Sequence, residues 1–165
     1  MHKGFWNELD SLKQDDSDAD WGYLENFEDE TLPDLKFGPY NFLHGLCDVF
    51  AQALNEIYGY PIEYVFERQD NDQYYNHTPN LMHAYCVIDH NDTSLYIDIR
   101  GITDNKNEML EEFELSEDDI DGDYIYTYRS NQPTAPFAFA SNAAYLIEAK
   151  QLINLHTDYY HTITT

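Results

Sequence analysis

Positive charge is scarce in this chain. Eight lysines and arginines stand against 32 aspartates and glutamates in 165 residues, which gives a formal net charge of −24. A field of this sign repels nucleic acid and anionic membrane surfaces, and it attracts basic partners. We therefore expect no direct nucleic-acid binding and no membrane association. The expected partner or substrate is a basic protein or a cationic peptide.

Cysteines and long apolar runs are scarce as well. The two cysteines, Cys47 and Cys86, cannot build a disulfide framework, which fits a reducing compartment. No apolar run approaches the roughly 18 residues that a membrane-spanning helix needs. The N-terminus has no apolar stretch of the kind that secretory signal peptides carry. These absences predict a cytoplasmic protein, in its own cell or in a host cell.

Several common motifs are missing. The chain has no glycine-rich phosphate loop of the GxGxxG or GxxxxGK type and no GxSxG elbow of a serine hydrolase. The acidic run SEDDIDGDYI lacks the glycine and glutamate spacing of a calcium loop. No short zinc spacing joins the metal-ligand candidates, so we expect neither a cofactor nor a metal. Those candidates are His44, Cys47, His77 and His83.

The acidic residues are concentrated in two segments of what we expect to be a single domain, residues 1–165. Residues 1–35 form an acidic N-terminal extension with eleven acids and two lysines. Residues 108–123 form an acidic helix and loop with nine acids and no base. Such charge serves either solubility alone or the recruitment of a basic target.

Apolar periodicity predicts an α+β domain with an antiparallel sheet. The strongest helix signal runs from Leu46 to Tyr58 and ends at Gly59 and Pro61. A further helix with a Ser/Asn start is expected at 141–156, and a short N-terminal helix around Trp6, Leu9 and Leu12. The other expected elements are strands at 62–67, 83–90, 94–101 and 123–130, a polar loop at 68–80, and a short helix running into the acidic loop at 107–119.

Three residues on these elements have the chemistry of a catalytic triad. Cys47 lies at a helix N-terminus, where the helix dipole and free N–H groups favour a thiolate and lower its pKa. His83 begins one hairpin strand and Asp98 lies in the next. Each also has a structural interpretation: a core cysteine, a strand-start histidine, and an aspartate that caps a loop or pairs with Arg100.

Hairpin geometry brings His83 and Asp98 together. A turn near 91–92 would pair residue 87 with about 96 and residue 85 with about 98, so that His83 lies diagonal to Asp98 within side-chain reach. Cys86 points to the opposite face of the same strand, and we expect it to pack in the core. His44 precedes the helix and is expected to be a rim residue.

The stretch GLCDVFAQAL–x4–GYPI, followed by HAYCVIDH and LYIDIRG, resembles the papain-like cysteine hydrolase superfamily, most closely its transglutaminase-like branch. The resemblance covers residues 41–101. It implies a papain-like core in which the cysteine helix packs on an antiparallel sheet. It also implies Cys47 as nucleophile, His83 as general base and acid, Asp98 as the residue that orients the histidine, and Asn41 as an oxyanion-hole amide.

Two functions follow from these features. The first is a Cys-His-Asp thiol enzyme that acts on an amide or peptide bond through a thioester, as a peptidase, a deamidase or an acyltransferase. The second is a non-catalytic acidic inhibitor or immunity-type protein. Its carboxylates would imitate the phosphates of DNA, which carry one charge per roughly 1.7 Å, and it would bind a basic nucleic-acid-handling partner.

Overall fold

The computed structural model describes residues 42–43, 45–68, 79–133 and 143–162. Over these ranges the fold is α+β, with a five-stranded antiparallel sheet and helices packed on it. The helices are α1 (Cys47–Tyr58), α2 (Lys106–Glu111), α3 (Ala143–Leu155) and α4 (Thr157–Tyr160), with a 3-10 turn at Glu117–Asp119. The strands are β1 (Ile62–Glu67), β2 (Asn80–His90), β3 (Thr93–Asp98), β4 (Gly101–Thr103) and β5 (Ile125–Ser130).

Helix α1 confirms the strongest sequence prediction. Its first eight residues are all buried, polar Asp48 and Gln52 among them, because the helix packs on the sheet and is also covered by α3. The helix ends at Gly59, whose φ of 76° lies in the left-handed region that glycine adopts without steric cost. The Gly59 N–H donates to the carbonyl of Asn55, which closes the last turn.

The central hairpin has the predicted register. Val87 lies opposite Tyr96 and Cys86 opposite Ile97, and a two-residue turn at 91–92 joins β2 to β3. Asn91 has a φ of 53°, as the tight turns of two-residue hairpins require. Strand β1 pairs with the other side of β2, so the sheet order is β4-β3-β2-β1-β5. This order places β2 at the centre of the sheet.

The prediction of one continuous strand over 94–101 is wrong. Strand β3 ends at Asp98, the chain turns at 99–100, and β4 begins at Gly101. Gly101 has a φ of 111°, a conformation that lets the chain reverse and pair Gly101 with Asp98. The turn matters for the site because it folds Arg100 back onto the Asp98 carboxylate.

The two faces of the sheet are covered by different helices. Helix α1 packs on β2, with α3 packed against α1, and the alternate β2 residues Ala84 and Cys86 lie in this larger core. Tyr85 points to the opposite face and packs in a smaller cluster with Met109 and Leu110 of α2. The alternation follows from the two-residue period of a strand.

The predicted short N-terminal helix and most of the predicted polar loop at 68–80 lie outside the described residues. The acidic segment confirms its prediction, since α2 is followed by exposed turns and the 3-10 turn. The predicted C-terminal helix is present as α3, and the additional short helix α4 follows it. Among the described residues, no helix combines the length and the apolar character needed to cross a bilayer.

Candidate functional site

The thiol of Cys47 is buried at the start of α1. The side chain is 7% exposed and belongs to the core between α1 and the sheet. Its sulfur accepts the backbone N–H of Ala84, the residue that follows His83 on β2. The N-terminus of α1 is thus packed directly against the central strand, one residue from the candidate histidine.

The prediction that the helix N-terminus lowers the pKa of Cys47 is wrong. The pKa of this thiol is raised to about 12, mainly by burial and also by the neighbouring Asp48 carboxylate, while the N–H groups of Ala84 and Asp48 act in the opposite direction. Desolvation of a thiolate in an apolar site outweighs the few favourable dipoles at the end of a helix. The resting thiol is therefore neutral.

His83 is fully buried and is held on one side only. Its Nε2 lies 3.0 Å from Oδ2 of Asp98, while Nδ1 has no hydrogen-bond partner among the described residues. The ring stacks on Phe113, with 4.3 Å between the ring centroids. Burial lowers the pKa of His83, and the hydrogen bond to Asp98 opposes that effect. The imidazole is therefore neutral, and one of its nitrogens is unused.

Asp98 contacts two partners at once. Its carboxylate accepts from His83 and from Arg100, whose Nη2 lies 2.6 Å from Oδ2. Burial alone would raise the pKa of Asp98, but the charge of Arg100 and the hydrogen bonds from His83 and Arg100 hold it well below the usual range. The pairing with Arg100, considered from sequence as an alternative to the triad, thus coexists with the His83 contact.

The structure brings together the side chains of two of the three predicted residues. His83 and Asp98 are in direct contact, and the Asp98 charge acts on the Cys47 thiol. Because His83 Nδ1 has no hydrogen-bond partner, no hydrogen bond joins it to the Cys47 sulfur. The histidine and aspartate are assembled, and the thiol lies beside the backbone next to the histidine.

The other residues that the sequence suggested for the site differ in whether the structure describes them and in where it places them. Asn41, His44 and His77 lie outside the described residues. Cys86 is fully buried, and its thiol donates to the carbonyl of Ala51 at 3.4 Å, which confirms the core assignment. In the described ranges no three histidine, cysteine, aspartate or glutamate side chains are grouped so that they could hold a metal ion.

Sequence reasoning missed two neighbours of the site. Phe113 follows α2 and stacks on His83, and no local pattern indicated that contact. Arg100 is predicted only as an alternative partner of Asp98. The continuous strand expected over 94–101 leaves out the turn at 99–100 that folds Arg100 back onto the carboxylate while Asp98 also contacts His83.

A second polar cluster lies on the same face of the sheet as Tyr85. Glu63 of β1 is almost fully buried and accepts the Tyr85 phenol at 2.6 Å. It also pairs with Lys106 at 2.8 Å and with Arg129 at 3.1 Å. Although burial would raise the pKa of Glu63, these partners lower it below its ordinary value. The cluster ties β1 to β2, β5 and α2.

Acidic side chains dominate the surface that follows β4. Eight carboxylates between residues 104 and 123 are exposed. Five of them lie in residues 117–123, directly before the edge strand β5. The eight residues are Asp104, Glu111, Glu114, Glu117, Asp118, Asp119, Asp121 and Asp123. Residues 104–123 therefore expose a high density of negative charge to solvent.

Comparisons with models of protein families, with curated proteins and with solved structures found no match for this chain.

Proposed function

We propose that Cys47, His83 and Asp98 form the active site of a thiol enzyme that acts on an amide or peptide bond through a thioester. One observation carries this proposal. His83 uses Nε2 for Asp98, its Nδ1 has no hydrogen-bond partner in the described part of the chain, and the next residue, Ala84, donates its N–H to the Cys47 sulfur. A nucleophile, a base and a group that orients the base are the parts that such chemistry requires.

The resemblance of residues 41–101 to the transglutaminase-like branch supports the same assignment, and with it we propose a papain-like core for the fold. In both, a helix that begins with cysteine packs on an antiparallel sheet that carries histidine and aspartate on neighbouring strands. Asn41 is proposed on that resemblance alone as a donor to the oxyanion.

The proposed reaction begins from a neutral pair. As the Cys47 sulfur attacks the carbonyl carbon of the substrate, the thiol proton moves to Nδ1 of His83, and the carbonyl π electrons move to its oxygen. The Asp98 carboxylate stabilises the imidazolium that forms. The carbonyl then re-forms, the C–N bond breaks, and the Nδ1 proton passes to the departing nitrogen, which leaves as an amine or ammonia.

The second half of the reaction regenerates the thiol. Water or an acceptor amine adds to the thioester carbon and gives a proton to Nδ1, and the C–S bond then breaks as that proton returns to sulfur. Water yields an acid, as in a peptidase or deamidase, and an amine yields a new amide. The contact between Nδ1 and sulfur that the first step needs has to form when substrate binds, as catalytic contacts often do.

The test uses the two cysteines as a matched pair. The chain is incubated with glutamine-containing and lysine-rich peptides and with an activated ester as acyl donor, and intact mass detects an acyl adduct on the protein. Release of a new peptide terminus, of ammonia or of an amine-exchanged product then separates peptidase, deamidase and acyltransferase.

We expect an adduct on wild type and on Cys86→Ala, and none on Cys47→Ala. We expect His83→Ala to slow acylation by roughly 10²–10⁴-fold. Acylation of Cys47→Ala at the wild-type rate, or no adduct and no product with any of these donors, would overturn the proposal.

The exposed carboxylates favour a second candidate, an acidic inhibitor of a basic nucleic-acid-handling protein. Its binding depends on charge and not on the thiol, so we expect affinity for a nonspecific DNA-binding protein to fall steeply between low and moderate salt. Duplex DNA should compete. Cys47→Ala should bind as wild type does, whereas Glu111→Gln/Glu114→Gln/Asp118→Asn should bind more weakly. Equal binding by the triple variant would contradict this candidate.

A further inference from the structure

The turn between β3 and β4 folds Arg100 onto Asp98, and four hydrogen bonds join the two residues. The Arg100 backbone N–H donates to Oδ1 at 2.8 Å, and its Nε lies 3.1 Å and 3.0 Å from the two carboxylate oxygens. Nη2 adds a contact of 2.6 Å to Oδ2. The arginine is fully buried, so this fork is desolvated and geometrically specific.

One nitrogen of the same fork also joins the guanidinium to α2. Its Nη2 donates to the backbone carbonyl of Met109 in α2 at 3.2 Å. Met109 is fully buried in the cluster between α2 and the sheet, so this acceptor is held by a rigid element. Arg100 therefore connects α2 to the carboxylate that His83 uses, and it limits how Asp98 can rotate.

The two donors meet at one oxygen, since Oδ2 of Asp98 accepts from both His83 and Arg100. A carboxylate paired with a buried guanidinium stays ionised and acts only as an acceptor. His83 must then keep its proton on Nε2 to make the contact. Nδ1, which has no hydrogen-bond partner within the described ranges, is left as the basic nitrogen.

We propose that Arg100 is a positioning residue that holds Asp98 ionised and oriented, and thereby keeps His83 as the neutral Nε2–H tautomer with Nδ1 ready to accept a proton. The proposal rests on the proposed function only for its effect on turnover. The tautomer itself is a property of the resting protein and can be measured without a substrate.

The surroundings of His83 set the direction of the expected change. Burial lowers its pKa, Asp98 opposes this, and the charge of Arg100 lowers it again. Removal of the arginine charge should therefore raise the pKa of His83. The groups that contact the imidazole or its immediate partners are Asp98 and Arg100 from β3 and the following turn, Tyr85 of β2 with its partner Glu63 of β1, and Phe113 after α2. The Asp98 charge also acts on the Cys47 thiol of α1.

The experiment is a ¹⁵N NMR titration of His83 in the full chain, for wild type, Arg100→Gln and Arg100→Lys. The matched control is Arg129→Gln, which removes another paired arginine from the edge strand. In wild type we expect the Nε2–H tautomer and titration below the ordinary value of 6.5. In Arg100→Gln we expect proton affinity to rise about tenfold, the size of effect that a nearby charge exerts.

Arg100→Lys keeps the charge and loses the fork, so we expect a mixture of tautomers with a smaller change in proton affinity. Circular dichroism shows whether Arg100→Gln folds. If it does not, the proposal is tested by the His83 titrations of Arg100→Lys and of the wild type. A wild-type Nδ1–H tautomer overturns the proposal. The proposal is also overturned if His83 keeps the wild-type tautomer and the wild-type titration in every Arg100 variant that folds.

Turnover separates this inference from the proposed function. If Cys47→Ala removes activity, the acid limb of kcat/KM should move to higher pH in Arg100→Gln and stay in place in Arg129→Gln. If Cys47→Ala keeps full activity, the proposed enzyme function fails, and the NMR result for Arg100 still stands or falls on its own.

Discussion

His83 donates from Nε2 to Oδ2 of Asp98 across 3.0 Å, although 15 residues separate them in the chain, and both side chains are almost completely buried. Hydrogen bonds are stronger in such a low-dielectric setting, and an unpaired polar group there is costly. The contact therefore fixes the end of β3 against β2 and determines which imidazole nitrogen remains available for chemistry.

The buried thiol should make Cys47 slow to alkylate. With a pKa of about 12, against an ordinary 9.0, its thiolate fraction at pH 7 is roughly 10³-fold lower than in the unfolded chain. We expect iodoacetamide to label native Cys86→Ala slowly at neutral pH, with a rate that still climbs above pH 10, and to label it rapidly in urea. Fast labelling of the native variant at pH 7 would show that the thiol is exposed and ionised.

Substitution of Asp98 by asparagine should change how stability depends on acid. Because the folded pKa of Asp98 is depressed, the wild type gains stability above the unfolded value of 3.8 and loses it as pH falls below that value. At pH 7 we expect Asp98→Asn to cost about 3–5 kcal/mol in the free energy of unfolding, since buried Arg100 then loses the carboxylate that it contacts.

Urea unfolding between pH 7 and pH 2 measures this, with exposed Asp89→Asn as the control. The curve of Asp98→Asn should be flatter than wild type below pH 4, and the curve of Asp89→Asn should stay close to wild type. If the free energies of unfolding of wild type and Asp98→Asn change in parallel with pH, the contacts of the Asp98 carboxylate do not stabilise its ionised form.

Removal of the Phe113 ring should uncover His83. The two rings stack at 4.3 Å, and the imidazole has no exposed surface in the intact protein. We expect Phe113→Ala to cost about 2 kcal/mol as a half-buried aromatic truncation, and to let diethyl pyrocarbonate modify His83 several-fold faster, as detected by peptide mass. Leu115→Ala, in the same segment but packed on the other cluster, should leave His83 protected.

The Glu63 cluster should contribute to stability and not to the proposed chemistry. Glu63→Gln weakens its ion pairs with Lys106 and Arg129 while both cations remain, so we expect a loss of about 2 kcal/mol in the free energy of unfolding. Thermal unfolding checks this, with half-exposed Glu67→Gln on the same strand expected to change stability by less than about 0.5 kcal/mol. An acylation rate for Glu63→Gln that falls as far as that of His83→Ala would place Glu63 in the active site instead.

The sequence by itself determined the helices, most strand limits and the hairpin register. Helix α1 follows from apolar spacing and a glycine stop, and the β2–β3 register follows from a two-residue turn and the alternation of side chains. These are local properties, set by residues a few positions apart, and they sufficed to predict that His83 reaches Asp98.

Only the tertiary structure decided the electrostatic state of the site. The helix start at Cys47 predicted a lowered pKa, but packing against β2 buries the sulfur and raises its pKa. The break after Asp98 and the stacking of Phe113 also depend on how distant segments meet. Desolvation depends on all the residues that surround a group, including residues distant in the sequence. The spacing of residues within one segment does not indicate which distant residues those are.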